Sequence, residues 1–331
     1  MLVFSHPRSG STQLLNVLKR TISQARPEKE IIILGEFFNV WNAGTFGKLS
    51  YLFYNLNFFA GCPIKGSSLV LSKTAAEYLE FYQSNDVNYY DSCKFLLKEI
   101  DFEFETLDQF YDFLIQELEH RFKFYCELVD CGYEPIVKHF FYMPMILDSN
   151  ENKKVSQLYI QFHAKLVKLN GLIFYRNDFT GSILSSFIKG FYYDLPAVLD
   201  KSYDQLIDSA HNFGNMPPLM PDADKIINQD YFDMVINPFI EFLKFANTYD
   251  HFDLLTCDQL FSQSQLYLNY SGQQLAVKRY HNNNFEEEIP MNYSSDKFQY
   301  FKNSKDIPSM TDVYIKNNNL ASILTKLNIT L

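Results

Sequence analysis

The hydrophobic positions of this chain fall into two recurring patterns. Short unbroken apolar runs stand at LVFS (2–5), EIIIL (30–34), PIVKHFF (135–141), GLIFYR (171–176) and FDLLTC (252–257). Their length and their Ile, Val and Leu content suit strands buried on both faces of a parallel sheet. Between them run stretches with a helical period. Residues 11–22 place Leu14, Leu15, Leu18 and Ile22 on one face. Residues 106–132 begin at a Thr cap, repeat apolar residues at 107, 110, 114, 118, 122, 125 and 129, and stop at a Gly. A further helix is predicted over 228–247, with Pro238 as a break or kink, and DQLFSQSQLYL after the last run also reads as helical. Strands alternating with helices predict an α/β protein with three layers, a central and mostly parallel sheet of about five strands flanked by helices.

Two stretches break the alternation. Residues 37–100 are rich in Phe, Tyr and Asn without a clear period, and residues 190–227 contain Pro196, Pro217, Pro218 and Pro221. Both read as loops around a site rather than linkers. The expectation is one unit spanning 1–331, with insertions around 37–100 and 186–227. The run HNNNFEEEIP at 281–290 is a polar surface segment.

Composition narrows the function. With 47% hydrophobic residues in 331, a sizeable core can be buried. A net charge of −10 lacks the broad basic footprint of a nucleic-acid binder. The five cysteines stand singly at 62, 93, 126, 131 and 257, with no CxxC pair, which suits free thiols in a reducing compartment. No run approaches the roughly 20 apolar residues that span a bilayer, and no charged-then-apolar leader precedes the first strand. A soluble cytoplasmic protein without a membrane partner is expected. Nothing in the sequence sets its oligomeric state.

The chemistry begins directly after the first strand, at HPRSGST (6–12). A strand-to-helix turn exposes several unpaired backbone N–H groups at one spot, with the positive end of the helix dipole behind them. Gly10 lets an oxyanion approach the backbone. Ser9, Ser11 and Thr12 add hydroxyl donors, and Arg8 adds a fixed charge with a planar fork of donors. The turn suits a phosphate. It is not a Walker A loop, whose Lys follows the second of two glycines. Here the basic residue stands two before the only Gly.

The stretch PRSGST resembles the 5′-phosphosulfate loop of sulfotransferases that use 3′-phosphoadenosine 5′-phosphosulfate, whose usual form is P-[KR]-[ST]-G-[ST]-[TN]. A second stretch, LIFYRNDFTGSILSSF (172–187), looks like the same family's 3′-phosphate element, an Arg at a strand end with a Ser eight or nine residues on. Arg176 would offer bidentate contact to the phosphate. Ser185 stands nine residues on and is the first choice for the hydroxyl, with Ser182 and Ser186 as alternatives. The resemblance implies a P-loop-like fold, no required metal, and a small-molecule or glycan acceptor. It departs in places. Asp178 replaces the Pro that cytosolic members carry after Arg-Asn, a pattern nearer to bacterial and carbohydrate-type members. Gln13 replaces the Trp that can stack on adenine. The late R-K-G-x-x-G loop is absent, with Lys278-Arg279 as a possible substitute.

In such an enzyme, negative charge builds on the bridging oxygen that leaves, and a base takes the acceptor's proton. The resemblance gives Arg8 the first role. Glu36 follows the second strand in LGEFFN and is the first candidate for the base, on the expectation that strand two lies beside strand one. His139, in IVKHFF, is the second candidate, and its neighbour Lys138 could contact the sulfuryl oxygens. His6 reads as structural. Two other functions remain open at this point: a P-loop kinase for a small molecule, and a nucleotide-binding protein without catalysis.

Overall fold

The structure is a computed structural model. It describes residues 1–40, 46–47, 49–51, 63–140, 161–189, 226–227, 229–249, 251–262, 266–270, 273–277 and 302–331. Much of the two expected insertions (41–45, 48, 52–62 and 190–225) and the Lys278-Arg279 pair lie outside the described residues.

The five apolar runs form one sheet. Strands β1 (Leu2–Ser5), β2 (Glu30–Gly35), β6 (Tyr133–Phe140), β7 (Gly171–Tyr175) and β8 (Asp253–Thr256) lie in the order β2-β6-β1-β7-β8. Every adjacent pair is parallel. All four residues of β1 are buried, as a central strand covered on both faces must be. One expectation is overturned here. Strand β2 does not neighbour β1, because β6 returns and inserts between them. The chain leaves β1 toward β2 on one side and reaches β7 on the other, so the sheet's switch point lies at the carboxyl end of β1.

Strand alternation divides the core. On one face, Val3, Ile136, Leu172 and Phe174 pack with Leu14, Leu15, Leu18 and Ile22 of helix α1 (Ser11–Ala25). Fully burying those four helix side chains stabilises by roughly 6–12 kcal/mol before chain entropy is charged against it. A small antiparallel hairpin, β9 (Tyr267–Tyr270) with β10 (Gln273–Ala276), joins that layer. On the other face, Leu2, Phe4, Ile32, Leu34, Val137 and Ile173 meet helices α4 (Leu107–Asp130), α5 (Phe179–Lys189) and α6 (Gln229–Thr248). Helix α6 runs through Pro238.

The region after β2 is more ordered than its irregular pattern suggests. Strands β3 (Leu49–Tyr51), β4 (Ile64–Leu71) and β5 (Leu97–Phe104) make a three-stranded antiparallel sheet. Helices α2 (Ala75–Ser84) and α3 (Tyr89–Leu96) connect β4 to β5. Each begins with a capping box, Thr74 with Glu77 and Asn88 with Asp91. The predicted helix after β8 is short, α7 (Cys257–Ser262), and its last apolar residues belong to β9 instead. Helices α8 (Ile307–Asn317) and α9 (Ala321–Lys326) follow a short 3-10 turn at Ser304–Asp306. No disulfide joins the four described cysteines, Cys93, Cys126, Cys131 and Cys257. No described helix is long and apolar enough to cross a membrane.

Candidate active site

The turn between β1 and α1 is held in an uncommon shape. Arg8 has φ 61° and Gly10 has φ 85°, both left-handed. Gly adopts that region freely, whereas an Arg does so at a cost, and such strain gathers at functional sites. Left-handed residues in a turn help swing successive N–H groups into one concavity. Gly10 also occupies the N-cap of α1, where it offers no side-chain cap, and the first turn carries no acidic residue. The helix N-terminus therefore keeps its positive end open to an anion.

Three buried polar atoms around this turn are unmatched among the described residues. Arg8 Nε, Ser9 Oγ and Ser5 Oγ have no hydrogen-bond partner among the described residues. Leaving one such group buried and unpaired costs about 1–3 kcal/mol. An oxyanion seated on the turn would satisfy the guanidinium nitrogen and a serine hydroxyl together, so these residues fit a phosphate or a phosphosulfate.

His6 fastens the turn to the next strand. Its ring is buried, with Nδ1 2.8 Å from the Pro7 carbonyl and Nε2 3.0 Å from the Arg176 backbone nitrogen. The Arg176 N–H can only donate, so Nε2 accepts and Nδ1 carries the proton toward Pro7. Phe179, Phe239 and Phe242 surround the ring. Burial pulls its pKa down to about 4, so His6 is neutral at pH 7. A neutral, core-packed imidazole thus ties the β1–α1 turn to the strand end that carries Arg176.

Lys138 and Glu36 reach the same turn. Strand β6 lies beside β1, and Lys138 pairs in register with Val3, on the α1 face. Its Nζ donates to Thr12 Oγ1 at 2.8 Å and forms an ion pair with Glu36 Oε1 at 2.9 Å. Asn39 donates to the other carboxylate oxygen at 3.0 Å. Glu36 stands one strand further out than expected, and Lys138 spans the gap. The sequence flagged Lys138 only for sulfuryl oxygens and missed Asn39.

The exit of β2 is shaped by two further residues. Gly35 has φ 53°, and a Cβ there would lie 2.1 Å from the ring of Tyr89, so only Gly fits. Arg121 of α4 is fully buried. It donates to the carbonyls of Phe37, Asn39, Phe46 and Leu69 and pairs with Glu117 at 2.6 Å. Glu117 also accepts from the Leu71 N–H. A signal for this pair was present: a Glu and an Arg four residues apart on the apolar stripe of α4.

His139 sits apart from the turn. Alternation along β6 sends it to the face opposite Lys138, where it is buried against Phe4 and Phe162. Its Nε2 lies 2.8 Å from Nε2 of His163, in the helical segment 161–166. Burial lowers its pKa to about 3. The structure brings Glu36 to the Thr12 end of the turn and does not bring His139.

The turn after β7 differs from the turn after β1. Arg176 follows β7, as expected, and pairs with Asp178 at 3.0 Å. Asp178 also accepts from the Gly181 N–H at 2.7 Å, capping α5. The Phe179 N–H donates to the Thr330 carbonyl at 3.0 Å. The hydroxyls of Ser182, Ser185 and Ser186 donate to carbonyls of the same turn and helix, those of Asp178, Gly181 and Ser182. Their protons are committed within the helix. The buried Thr180 Oγ1, which the sequence reading passed over, has no partner among the described residues. Gln13 lies half-buried on the first turn of α1, with its N–H on the Gly10 carbonyl.

No protein-family model, no curated protein and no solved structure matches this chain. Among the described residues, no group of three or more His, Cys, Asp or Glu side chains is placed to hold a metal ion.

Proposed function

We propose that the protein is a sulfotransferase that moves a sulfuryl group from 3′-phosphoadenosine 5′-phosphosulfate to a hydroxyl or amine of a small-molecule or glycan acceptor. The observation that carries this reading is the β1–α1 turn. A helix N-terminus without a side-chain cap lies beside Arg8 and Ser9, each with a buried polar atom unmatched among the described residues, with Lys138 bridging Glu36 to Thr12 of its first turn. The sheet order supports a P-loop-like arrangement, with the turn at the carboxyl end of the central strand.

In this reading Arg8, Ser9, Gly10, Ser11 and Thr12 hold the 5′-phosphosulfate, with Gln13 beside them, and Arg176 faces the 3′-phosphate. The acceptor oxygen attacks sulfur while the bond from sulfur to the bridging oxygen breaks. The leaving bisphosphate takes the bonding electrons, and Glu36 takes the acceptor's proton. Arg8 stabilises the charge that builds on the bridging oxygen. Lys138 bridges Glu36 and Thr12, and its role in this reading is to contact the sulfuryl oxygens.

One observation favours a second reading. The Arg176–Asp178 pair and the committed serine hydroxyls leave the second turn less welcoming to a phosphate than the first. A kinase using a nucleotide without a 3′-phosphate would need only the first turn. Retention on immobilised adenosine 3′,5′-bisphosphate against immobilised ATP separates the two. Transfer of labelled sulfate from the donor to a panel of sugars, phenols and amines then tests the activity. Retention on ATP alone would overturn the sulfotransferase reading, and bisphosphate retention with no transfer to any acceptor would leave a binding protein.

A further inference from the structure

We propose that the segment Leu327–Thr330 is a positioning strap for the Arg176 turn, and that it sets the preference of the site for a 3′-phosphorylated nucleotide. The inference rests on the nucleotide reading above. Helix α9 ends at Lys326, and Asn328, with φ 52°, turns the chain back in a left-handed conformation that Asn tolerates. Leu327 and Ile329 are then buried in the core that holds Tyr175 and Phe179. The polar edge of the segment lies along the end of β7.

Five hydrogen bonds join the two. The Tyr175 hydroxyl donates to the Leu327 carbonyl at 3.0 Å, and the Asn177 side chain donates to the Asn328 carbonyl at 2.7 Å. The Thr330 N–H and hydroxyl both donate to the Asn177 carbonyl, at 2.9 and 3.2 Å. The Phe179 N–H returns to the Thr330 carbonyl at 3.0 Å, closing a parallel bridge between Asp178 and Thr330. Residues 175, 177 and 179 are thus gripped from one side, while His6 holds the Arg176 N–H from the other. Arg176, whose side chain is only partly buried and pairs with Asp178, is the cation of the turn, and a 3′-phosphate would compete with Asp178 for it. The strap also takes up the Phe179 N–H, one of the donors that would otherwise serve an anion at the start of α5. Recognition of a 3′-phosphate then falls on the guanidinium, whose fork is useful only if the backbone beneath it is fixed.

The test compares binding of adenosine 3′,5′-bisphosphate and adenosine 5′-monophosphate to the full chain, with thermal unfolding measured alongside. Thr330→Pro removes the N–H and hydroxyl that hold Asn177. It should lower the bisphosphate-over-monophosphate ratio about tenfold, with monophosphate affinity changed less than about twofold. Thr330→Ala keeps the N–H and removes the longer of the two bonds to Asn177, so it should lower the ratio less than Thr330→Pro does. Tyr175→Phe removes one bond at the far end of the strap and should lower the ratio by a few-fold, and it decides the matter if the proline variant does not fold. An unchanged ratio in a folded Thr330→Pro or Tyr175→Phe protein, or equal loss of both nucleotides, overturns the strap. Wild-type protein that binds the monophosphate but shows no preference for the bisphosphate overturns it together with the role of Arg176. Wild-type protein that binds neither nucleotide overturns the functional reading itself.

Discussion

At the residue scale, the proposed function makes the Lys138–Glu36 pair its chemical centre. A carboxylate that already accepts from Lys138 and Asn39 is oriented, and it can still take a proton from an acceptor placed beside it. Glu36→Gln keeps the size and one acceptor atom but removes the base. Turnover should fall by roughly 10²–10⁴ while nucleotide affinity stays nearly constant. Steady-state sulfate transfer and equilibrium nucleotide binding, measured on the same preparation, check this. Retained turnover would remove Glu36 from the mechanism. His139→Phe should spare the chemistry, because His139 lies on the opposite face of the sheet. The sequence carried the means to see this: Lys138 and His139 are adjacent in a strand, so only one of them can share the face of α1. What it could not carry was which one, since that depends on the register of β6 against β1.

At the element scale, the site depends on how the chain leaves β2. Arg121 gathers carbonyls from the segment after β2 and from β4, and it is neutralised by Glu117 four residues earlier on α4. Breaking such a buried pair leaves a charge without compensation. Arg121→Met should cost roughly 3–5 kcal/mol of stability, and Glu117→Gln in the same chain should recover part of it. Urea unfolding of the single and double variants measures both, and a loss below about 1 kcal/mol for Arg121→Met would contradict the role given to it. The parallel strands and the helices α1, α4 and α6 were legible because burial on two faces or on one stripe writes a plain pattern. The block from β4 to β5 was not. Its antiparallel strands, IKGSSLVL and LKEIDFEF, are half solvated and mix Gly, Ser, Lys and Glu into the run. The capping boxes at Thr74 and Asn88 were the readable signal there. The sheet order was hidden too, since nearly one hundred residues separate β2 from β6 and nothing local says that β6 inserts beside β1.

Across the whole molecule, buried histidines couple stability to pH. His6 and His139 are held neutral by burial, with pKa values near 4 and 3, and burial together with the neighbouring His139 holds His163 well below its ordinary value. Unfolding returns each to the ordinary value near 6.5. Below that pH the unfolded chain binds protons that the folded one refuses. The stability these groups allow is present above pH 6.5 and is lost on acidification toward pH 4. For His6 and His139 together the slope approaches roughly 3 kcal/mol per pH unit. Urea midpoints between pH 7.5 and 5 should fall accordingly, and a flat profile would contradict the buried neutral rings. The proposed function further takes the turns after β1 and β7, joined through His6 and held by the segment Leu327–Thr330, as one nucleotide site of fixed span. Binding of adenosine 3′,5′-bisphosphate and adenosine 5′-monophosphate to the Arg8→Ala and Arg176→Ala variants tests that claim most directly. Arg8→Ala should weaken both nucleotides alike. Arg176→Ala should weaken the bisphosphate about tenfold or more and leave the monophosphate nearly unchanged. Equal losses of the two nucleotides in Arg176→Ala would contradict it.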